Sequence, residues 1–107
     1  MPMIDRASVY PVEMLPGVIR RTLTDGDKMM LIEVSIEKDA IIPMHTHPHE
    51  QTGYLVSGRM RLQIEDETQD LSSGNAWMIP GGVPHEAIGI ERCLVLEVFS
   101  PPRDEYR

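Results

Sequence analysis

A cluster of histidines in the middle of the chain has the residue types best suited to chemistry. Three of the four histidines, with a glutamate and a glutamine, lie in the stretch HTHPHEQ at positions 45–51. Neutral imidazole binds divalent transition metals, and carboxylate or amide oxygens can complete such sites. The stretch therefore predicts a metal site, and the question is which of its residues bind the ion.

Strand geometry selects candidate ligands within and beyond this stretch. Side chains two residues apart in a strand point to the same side, about 6.6 Å from each other, so His45 and His47 can converge on one ion. The triplet PHE that follows is typical of a turn, and Gln51 then begins a strand that can lie across the hairpin. Downstream, His85 follows a turn rich in proline and glycine, and a third strand can bring it to the same point.

Alternating apolar and polar residues indicate that strands position these side chains. Residues 30–37 and 59–65 alternate with a period of two, which predicts half-buried strands. Turn signals separate such runs at 57–58, 65–67, 72–75 and 80–84. No segment has a sustained helical period, and short strands at this spacing predict an all-β sandwich or barrel. The length of 107 residues fits one domain with one core, spanning residues 1–107.

The segment CLVLEVF at 93–99 is apolar on both faces, except that Glu97 interrupts one of them. Such a strand must be covered on both sides. We expect a second subunit to supply the outer cover, which predicts a homodimer; the N-terminal segment of the same chain is the alternative. A carboxylate on an apolar face needs a partner, a metal or a function. If that face lines the barrel, Glu97 is a candidate general acid or base with a raised pKa, whereas an ion pair with an arginine would make it structural.

Charge and cysteine content restrict the partners and the setting. The net charge is −7 and the basic residues are scattered, which argues against nucleic acid and anionic membranes as partners. Cys93 is the one cysteine, so no intrachain disulfide forms, as expected in a reducing compartment. The first residues do not resemble a secretion signal, and no apolar run reaches membrane-spanning length. These features predict a cytoplasmic protein.

Two motifs resemble those of the cupins, small β-barrel proteins with a jelly-roll or double-stranded β-helix fold. The first cupin motif, usually G-x5-H-x-H-x3-E-x6-G, corresponds to residues 39–58, and the second, usually G-x5-P-x-G-x2-H-x3-N, corresponds to residues 74–89. The resemblance implies a cupin barrel that binds one divalent transition metal ion (Mn, Fe, Co, Ni or Zn). The residues at the ligand positions are His45, His47, Gln51 and His85.

The sequence departs from the cupin motifs at three positions. Asp39 replaces a turn glycine, which aspartate tolerates because it enters the left-handed region more readily than most residues, and Gly89 replaces the final asparagine. Gln51 stands at the glutamate position, while Glu50 has the wrong strand parity for a ligand and His49 is expected to be a turn residue. Three histidines and a glutamine form a neutral ligand set, which leaves the ion more positive and favours Lewis-acid over redox chemistry.

Over the whole chain the sequence most resembles the short KdgF-like pectin-degradation cupins. The matching stretches are GVIRRTL, HTHPHEQTGYLVSG and LEVFSPPRDEY. The resemblance implies an enzyme that helps convert unsaturated uronates to linear keto sugars. It also implies catalytic roles for an acid, a phenylalanine and an arginine, which here are Glu97, Phe99 and Arg103. The family acid is an aspartate, and the extra methylene of glutamate can move the carboxylate by more than about 1 Å.

Several side chains and functions have alternatives that the sequence leaves open. Arg103 can bind a substrate carboxylate bidentately or remain a solvated tail residue. Arg20 and Arg21 differ in strand parity, so at most one of them faces the pocket, and both are assigned to the surface. Tyr54 and Trp77 are assigned to packing, with a substrate platform as the alternative. Two other functions use the same ligands: an Fe or Ni dioxygenase, and a non-catalytic protein that binds metal and sugar.

Overall fold

The computed structural model describes residues 3–107, whose regular structure is almost entirely β-strand. The strands are β1 (Val12–Leu15), β2 (Val18–Asp25), β3 (Met30–Ile36), β4 (Ile41–His45), β5 (Glu50–Ser57), β6 (Arg59–Ile64), β7 (Glu67–Ser72), β8 (Ala76–Ile79), β9 (His85–Gly89) and β10 (Cys93–Ser100). Two short 3-10 helices span Arg6–Ser8 and Asp104–Tyr106. No helix in the described part of the chain is long and apolar enough to cross a membrane.

The strands form two antiparallel sheets that face each other. One sheet has six strands in the order β1-β2-β3-β10-β5-β8, and the other has four in the order β4-β9-β6-β7. The last strand, β10, lies between β3 and β5. From β3 onwards the chain passes repeatedly from one sheet to the other, as a jelly roll requires. The predicted all-β jelly-roll fold is confirmed.

The core lies between the sheets and consists of the inward members of the alternating strands. The predicted alternation of β3 and β6 is confirmed, because most of their apolar positions are buried while most of their polar neighbours are not. Burying such side chains contributes about 1.5–3 kcal/mol each relative to exposure. The apolar core residues of these two strands are Met30, Ile32, Val34, Ile36, Met60 and Leu62.

The tight connections place residues with left-handed backbone where the motifs predicted turns. Asp39 has φ 68°, in the turn between β3 and β4. Its backbone N–H donates to the carbonyl oxygen of Gly89 at 2.8 Å, which fixes the turn against the end of β9. Gly58, between β5 and β6, has φ 88°. The expected tolerance of aspartate at position 39 agrees with this geometry.

The central strand β10 has two apolar faces, as its sequence indicated. The inward apolar residues are buried: Cys93, Val95 and Phe99. The outward residues are only partly covered: Leu94, Leu96 and Val98. The N-terminal segment covers a neighbouring part of this sheet, where the Nε atom of Arg6 donates to both carboxylate oxygens of Glu33 at 2.9 and 2.7 Å.

Replacing Gly58 by alanine should destabilise the fold more than the same change at Gly74. Both glycines are left-handed, with φ of 88° and 94°, so each alanine carries a similar conformational cost of about 1–2 kcal/mol. A Cβ at position 58 would lie 2.1 Å from the carbonyl oxygen of Arg92, whereas a Cβ at position 74 meets no atom within 4 Å. Urea unfolding measures the difference, and equal losses of unfolding free energy would refute the steric contribution.

Candidate metal centre and adjoining pocket

A bulge in β4 turns His45 towards the interior. In the ladder between β4 and β9, Ile42 pairs with Ala87 and His45 pairs with His85. The step between these pairs is therefore one residue longer on β4 than on β9, and the extra residue reverses the alternation. His45 thereby lies on the same inner face as Ile42. Pro43 lies within the bulge, a position where its missing N–H is tolerated.

His47 reaches the same point from a loop. β4 ends at His45, and His47 and His49 both belong to the connection to β5. The prediction that His45 and His47 share one face of a strand is wrong, whereas the prediction that they converge is confirmed. One ring nitrogen from each of His45, His47 and His85 lies within 4.8 Å of the others, close enough to hold a metal ion.

Backbone carbonyls fix the orientation of all three rings. Each Nδ1 atom lies 2.8–3.0 Å from a carbonyl oxygen two residues away, in the pairs His45–Pro43, His47–His49 and His85–Val83. A carbonyl oxygen only accepts, so Nδ1 carries the hydrogen and Nε2 keeps its lone pair, a tautomer inferred from the bonding partner. Histidines that bind metals through Nε2 are usually held in this way.

Burial keeps two of these imidazoles neutral. It lowers the pKa of His85 to about 4. Burial also lowers the pKa of His47, and the nearby guanidinium of Arg103 adds to the effect. The Nε2 atom of His85 is buried and has no hydrogen-bond partner among residues 3–107. A neutral imidazole with a free, inward lone pair is the form that a metal ion requires.

Gln51 places its amide between the histidines and Glu97. Its side chain is buried, while that of Glu50 is exposed, so the predicted strand parity is confirmed. The Oε1 atom of Gln51 lies 2.9 Å from the Nε2 atom of His47, and its Nε2 atom donates to the carboxylate of Glu97. Since Nε2 of the inferred His47 tautomer is an acceptor, two electron-rich atoms face each other. A cation beside both removes this repulsion, so the donor set fits a metal ion.

Glu97 faces the interior from the middle of β10. Its cross-strand neighbour on β5 is Gly53, which in turn pairs with Trp77 on β8. A Cβ at position 53 would lie 2.3 Å from the Trp77 ring, so the indole occupies the space that the glycine leaves.

Burial raises the pKa of Glu97 to about 7, against the opposing effects of the Gln51 hydrogen bond and of Arg103. A carboxyl group of this kind suits proton transfer near neutral pH.

The contacts of Glu97 and Arg103 show whether Glu97 forms an ion pair with an arginine and whether Arg103 lies in the pocket or in solvent. Glu97 bonds to an amide and forms no ion pair with an arginine among residues 3–107. The side chain of Arg103 is only 13% exposed, and its Cζ atom lies 5.2 Å from the ring centroid of Phe99 and 4.2 Å from that of Tyr106. Arg103 is therefore a pocket residue and not a solvated tail residue.

A cavity of about 510 Å³ between the sheets connects these side chains. Six of the seven residues that the sequence singled out line it: His45, Gln51, His85, Glu97, Phe99 and Arg103. His47 is next to it, with its ring centroid 5.5 Å from that of Phe99. The structure thus brings all seven predicted residues together in one region.

Two pocket residues were missed or misassigned. Arg20 lines the cavity, so its assignment to the surface is wrong. Arg21 points to the opposite side, 3.7 Å from the carboxylate of Glu33. Position 20 has the same strand parity as the apolar Val18, which is buried. This shared parity is the sequence signal that could have placed Arg20 on the inner face. Tyr106 also lines the cavity, and the short tail that carries it has no periodic pattern from which its position could be read.

The two aromatic residues assigned to packing have different environments. Trp77 is partly buried against the core and also lines the cavity, so its assignment to packing stays a prediction. Tyr54 is 47% exposed on the outer side of β5, so its assignment to packing within the chain is wrong. The alternation of β5 explains this result, because the buried residues of the strand are its neighbours on the opposite face.

Comparison with known proteins agrees with the fold. A family model described as a cupin domain matches residues 32–99. The pectin degradation protein KdgF of Dickeya dadantii is 32% identical over 96 residues, which cover 88% of this chain and 87% of that protein. The structure of KdgF from Halomonas sp. superposes with a TM-score of 0.93 and 29% identity, covering 98% and 97% of the two chains.

A further solved structure shows that this architecture extends to another chemistry. The polyketide cyclase RemF of Streptomyces resistomycificus superposes with a TM-score of 0.82 and 28% identity, covering 97% of this chain and 82% of the cyclase.

The match to the family model shows that the chain belongs to the cupin family. Within that family it is a cupin of the KdgF type.

Removing His85 should strongly weaken the binding of a divalent ion. Alanine at this position deletes one of the inward lone pairs, and we expect a loss larger than the roughly 10- to 100-fold typical of an outer hydrogen bond. Calorimetric titration with Zn²⁺ measures the affinity. His49→Ala is the matched control, because it removes a neighbouring imidazole outside the group of three. Equal affinities for His85→Ala and the unaltered protein would show that the ion binds elsewhere.

Proposed function

We propose that this protein is a metal-dependent enzyme that helps convert unsaturated uronates to linear keto sugars. The observation behind this proposal is that Glu97, whose pKa burial raises to about 7, bonds to Gln51 beside the three-histidine cluster and shares a cavity with Arg103. The similar Dickeya dadantii protein is named for pectin degradation. Unsaturated uronates are the acidic sugars that such degradation releases, and the resemblance of the chain to KdgF-like cupins implies them as substrates.

The proposed metal ligands are His45, His47, Gln51 and His85. Imidazole nitrogen and amide oxygen suit Mn, Fe, Co, Ni and Zn alike. An ion bound there would supply Lewis acidity that polarises substrate oxygens. All four ligands are neutral, so the ligand set does not reduce the positive charge of the centre. This favours anionic sugar oxygens over neutral ones.

The proposed proton transfers belong to Glu97. As carboxylate it accepts the proton of the ring hemiacetal hydroxyl while the ring carbon–oxygen bond breaks, which gives an aldehyde and an enolate. As carboxylic acid it then returns this proton to the double-bond carbon, so the enolate becomes a ketone and Glu97 is again a carboxylate. Atoms balance without an oxidant, because the reaction is an isomerisation. Arg103 binds the substrate carboxylate bidentately, and Phe99 shapes the wall beside it.

Loss of the 4,5-double-bond absorbance of unsaturated galacturonate or mannuronate tests the proposed reaction. The purified protein, loaded in turn with each candidate metal, should accelerate the decay over the spontaneous rate. Decay at the spontaneous rate with every metal would refute the proposal. Oxygen consumption with such a substrate would instead support the dioxygenase alternative, and binding without turnover would support a non-catalytic role.

Replacing Glu97 by glutamine should lower kcat by about 10²- to 10⁴-fold, because it removes the proposed general acid and base. The amide keeps the size of the side chain, so metal affinity should change much less. Glu50→Gln removes an exposed carboxylate one residue from Gln51 and is the matched control. If Glu97→Gln retains full turnover, the proton is carried by another group.

We also propose that the protein is a homodimer that acts in the cytoplasm. The outer side of β10 and its neighbours presents partly or largely exposed apolar side chains, namely Leu94, Leu96, Val98, Tyr54, Val56 and Met78. A patch of this kind is typical of a subunit interface. The one cysteine, Cys93, is buried and free, in keeping with a reducing compartment.

Leu96→Asp should convert the dimer to a monomer, because a carboxylate would be buried without a partner at the interface. Sedimentation equilibrium measures the mass, and circular dichroism checks that the variant folds. Ile41→Asp, on the exposed side of β4 in the other sheet, should leave the mass unchanged. A monomeric mass for the unaltered protein would rule out the dimer.

A further inference from the structure

Arg20 brings a positive charge into the cavity, and its buried Nε donor has no hydrogen-bond acceptor among the described residues. It is the second residue after the buried Val18 on β2, and it lines the cavity that also contains Glu97 and Arg103. Its Nε atom is buried and forms no hydrogen bond within residues 3–107. None of the ion pairs in this part of the chain includes it.

Stacking on Tyr106 explains only part of this arrangement. The Cζ atom of Arg20 lies 4.5 Å from the Tyr106 ring centroid, within the range of a cation–π contact. A cation–π contact with the ring provides no hydrogen-bond acceptor of the kind that the guanidinium N–H donors require. The buried Nε donor of Arg20 is therefore still unsatisfied among residues 3–107. A buried donor on a charged group is costly when it has no acceptor.

Arg103 also contacts the Tyr106 ring and also has a buried donor without an acceptor. Its Cζ atom lies 4.2 Å from the Tyr106 centroid, and its Nε atom is also buried without a partner in residues 3–107. Its contact with a carboxylate is through a terminal nitrogen, 3.4 Å from Glu105. One tyrosine therefore contacts two guanidinium groups that line one cavity, and the buried Nε donors of both have no acceptor in the described part of the chain.

We propose that Arg20 is a second anion-binding residue of the pocket, which binds the substrate carboxylate together with Arg103 and selects acids over neutral sugars. The chain has a net charge of −7, yet two guanidinium groups line one cavity. Arg103 has Glu105 as an ion-pair partner and Arg20 has none among residues 3–107, so this arrangement favours an anionic ligand. The identity of the ligand as a uronate rests on the proposed function. The anion-binding role rests on the contacts of Arg20 itself.

Binding of galacturonate and of its methyl ester tests this role without any turnover. Calorimetry on the protein loaded with Zn²⁺ should show tighter binding of the acid than of the ester. Arg20→Gln should reduce that preference by about 10- to 100-fold, the effect expected for hydrogen bonds to a charged group. Arg20→Lys keeps the charge but loses the planar fork, so it should retain part of the preference.

The neighbouring arginine is the matched control. Arg21→Gln changes the same residue type on the same strand, but its side chain lies on the opposite face beside Glu33, which keeps its bond to Arg6. It should leave the preference unchanged. Equal weakening of acid and ester by Arg20→Gln would overturn the proposal, because it would show that Arg20 only supports Tyr106. A lack of preference in the unaltered protein would also overturn it.

The binding experiment on Arg20 and the uronate turnover assay can fail independently of each other. Absence of turnover with unsaturated uronates would refute the proposed function, while the preference for acid over ester would remain measurable. Thermal unfolding of each variant distinguishes loss of the fold from loss of the anion contact. Arg20→Gln with an unchanged melting temperature and a lost preference is the result that the proposal predicts.

Discussion

The proposed chemistry depends on the convergence of three imidazole rings on one point between two sheets. His45 and His85 belong to the four-stranded sheet, while Gln51 is the second residue of β5 in the six-stranded one. The site therefore exists only when the sheets pack in register. Each ring is then fixed by a carbonyl oxygen two residues away, so its orientation is set locally and the packing of the core sets only its position. Burial keeps the rings of His47 and His85 neutral by lowering their pKa values.

One amide links this centre to the acid beside it. Gln51 turns its oxygen towards His47 and its nitrogen towards Glu97. A glutamate at position 51 has no hydrogen to donate, and two carboxylates side by side would repel each other. This contact gives a physical reason for glutamine where most cupin motifs have glutamate. It also couples the position of the amide oxygen to that of the Glu97 carboxylate, because this oxygen and the nitrogen that donates to Glu97 belong to one planar amide.

The sequence predicts the strands well because alternation is a short-range rule, and it predicts the convergence because its two motifs resemble those of the cupins. Period-two alternation identifies β3 and β6, and the spacing of the two motifs brings His85 to the other histidines. The route to that convergence was not predictable by alternation. The bulge in β4 reverses the parity of His45, and it arises from the pairing with β9. The loop position of His47 likewise depends on where that pairing ends.

The pocket wall was the least predictable part. Arg20 could have been assigned by its parity with Val18, but an arginine in an alternating strand is usually a surface residue. Tyr106 lies in a tail held by contacts distant in sequence, such as the bond from the Thr22 hydroxyl to its carbonyl oxygen. Such contacts leave no local pattern.

The location of the ion is the most direct test of this account. Anomalous diffraction from crystals of the protein loaded with Zn²⁺ would locate it. The account predicts one ion at about 2.0–2.1 Å from the Nε2 atoms of His45, His47 and His85, with the Gln51 amide oxygen as its neighbour. An ion bound through Nδ1, or bound away from these histidines, would contradict it.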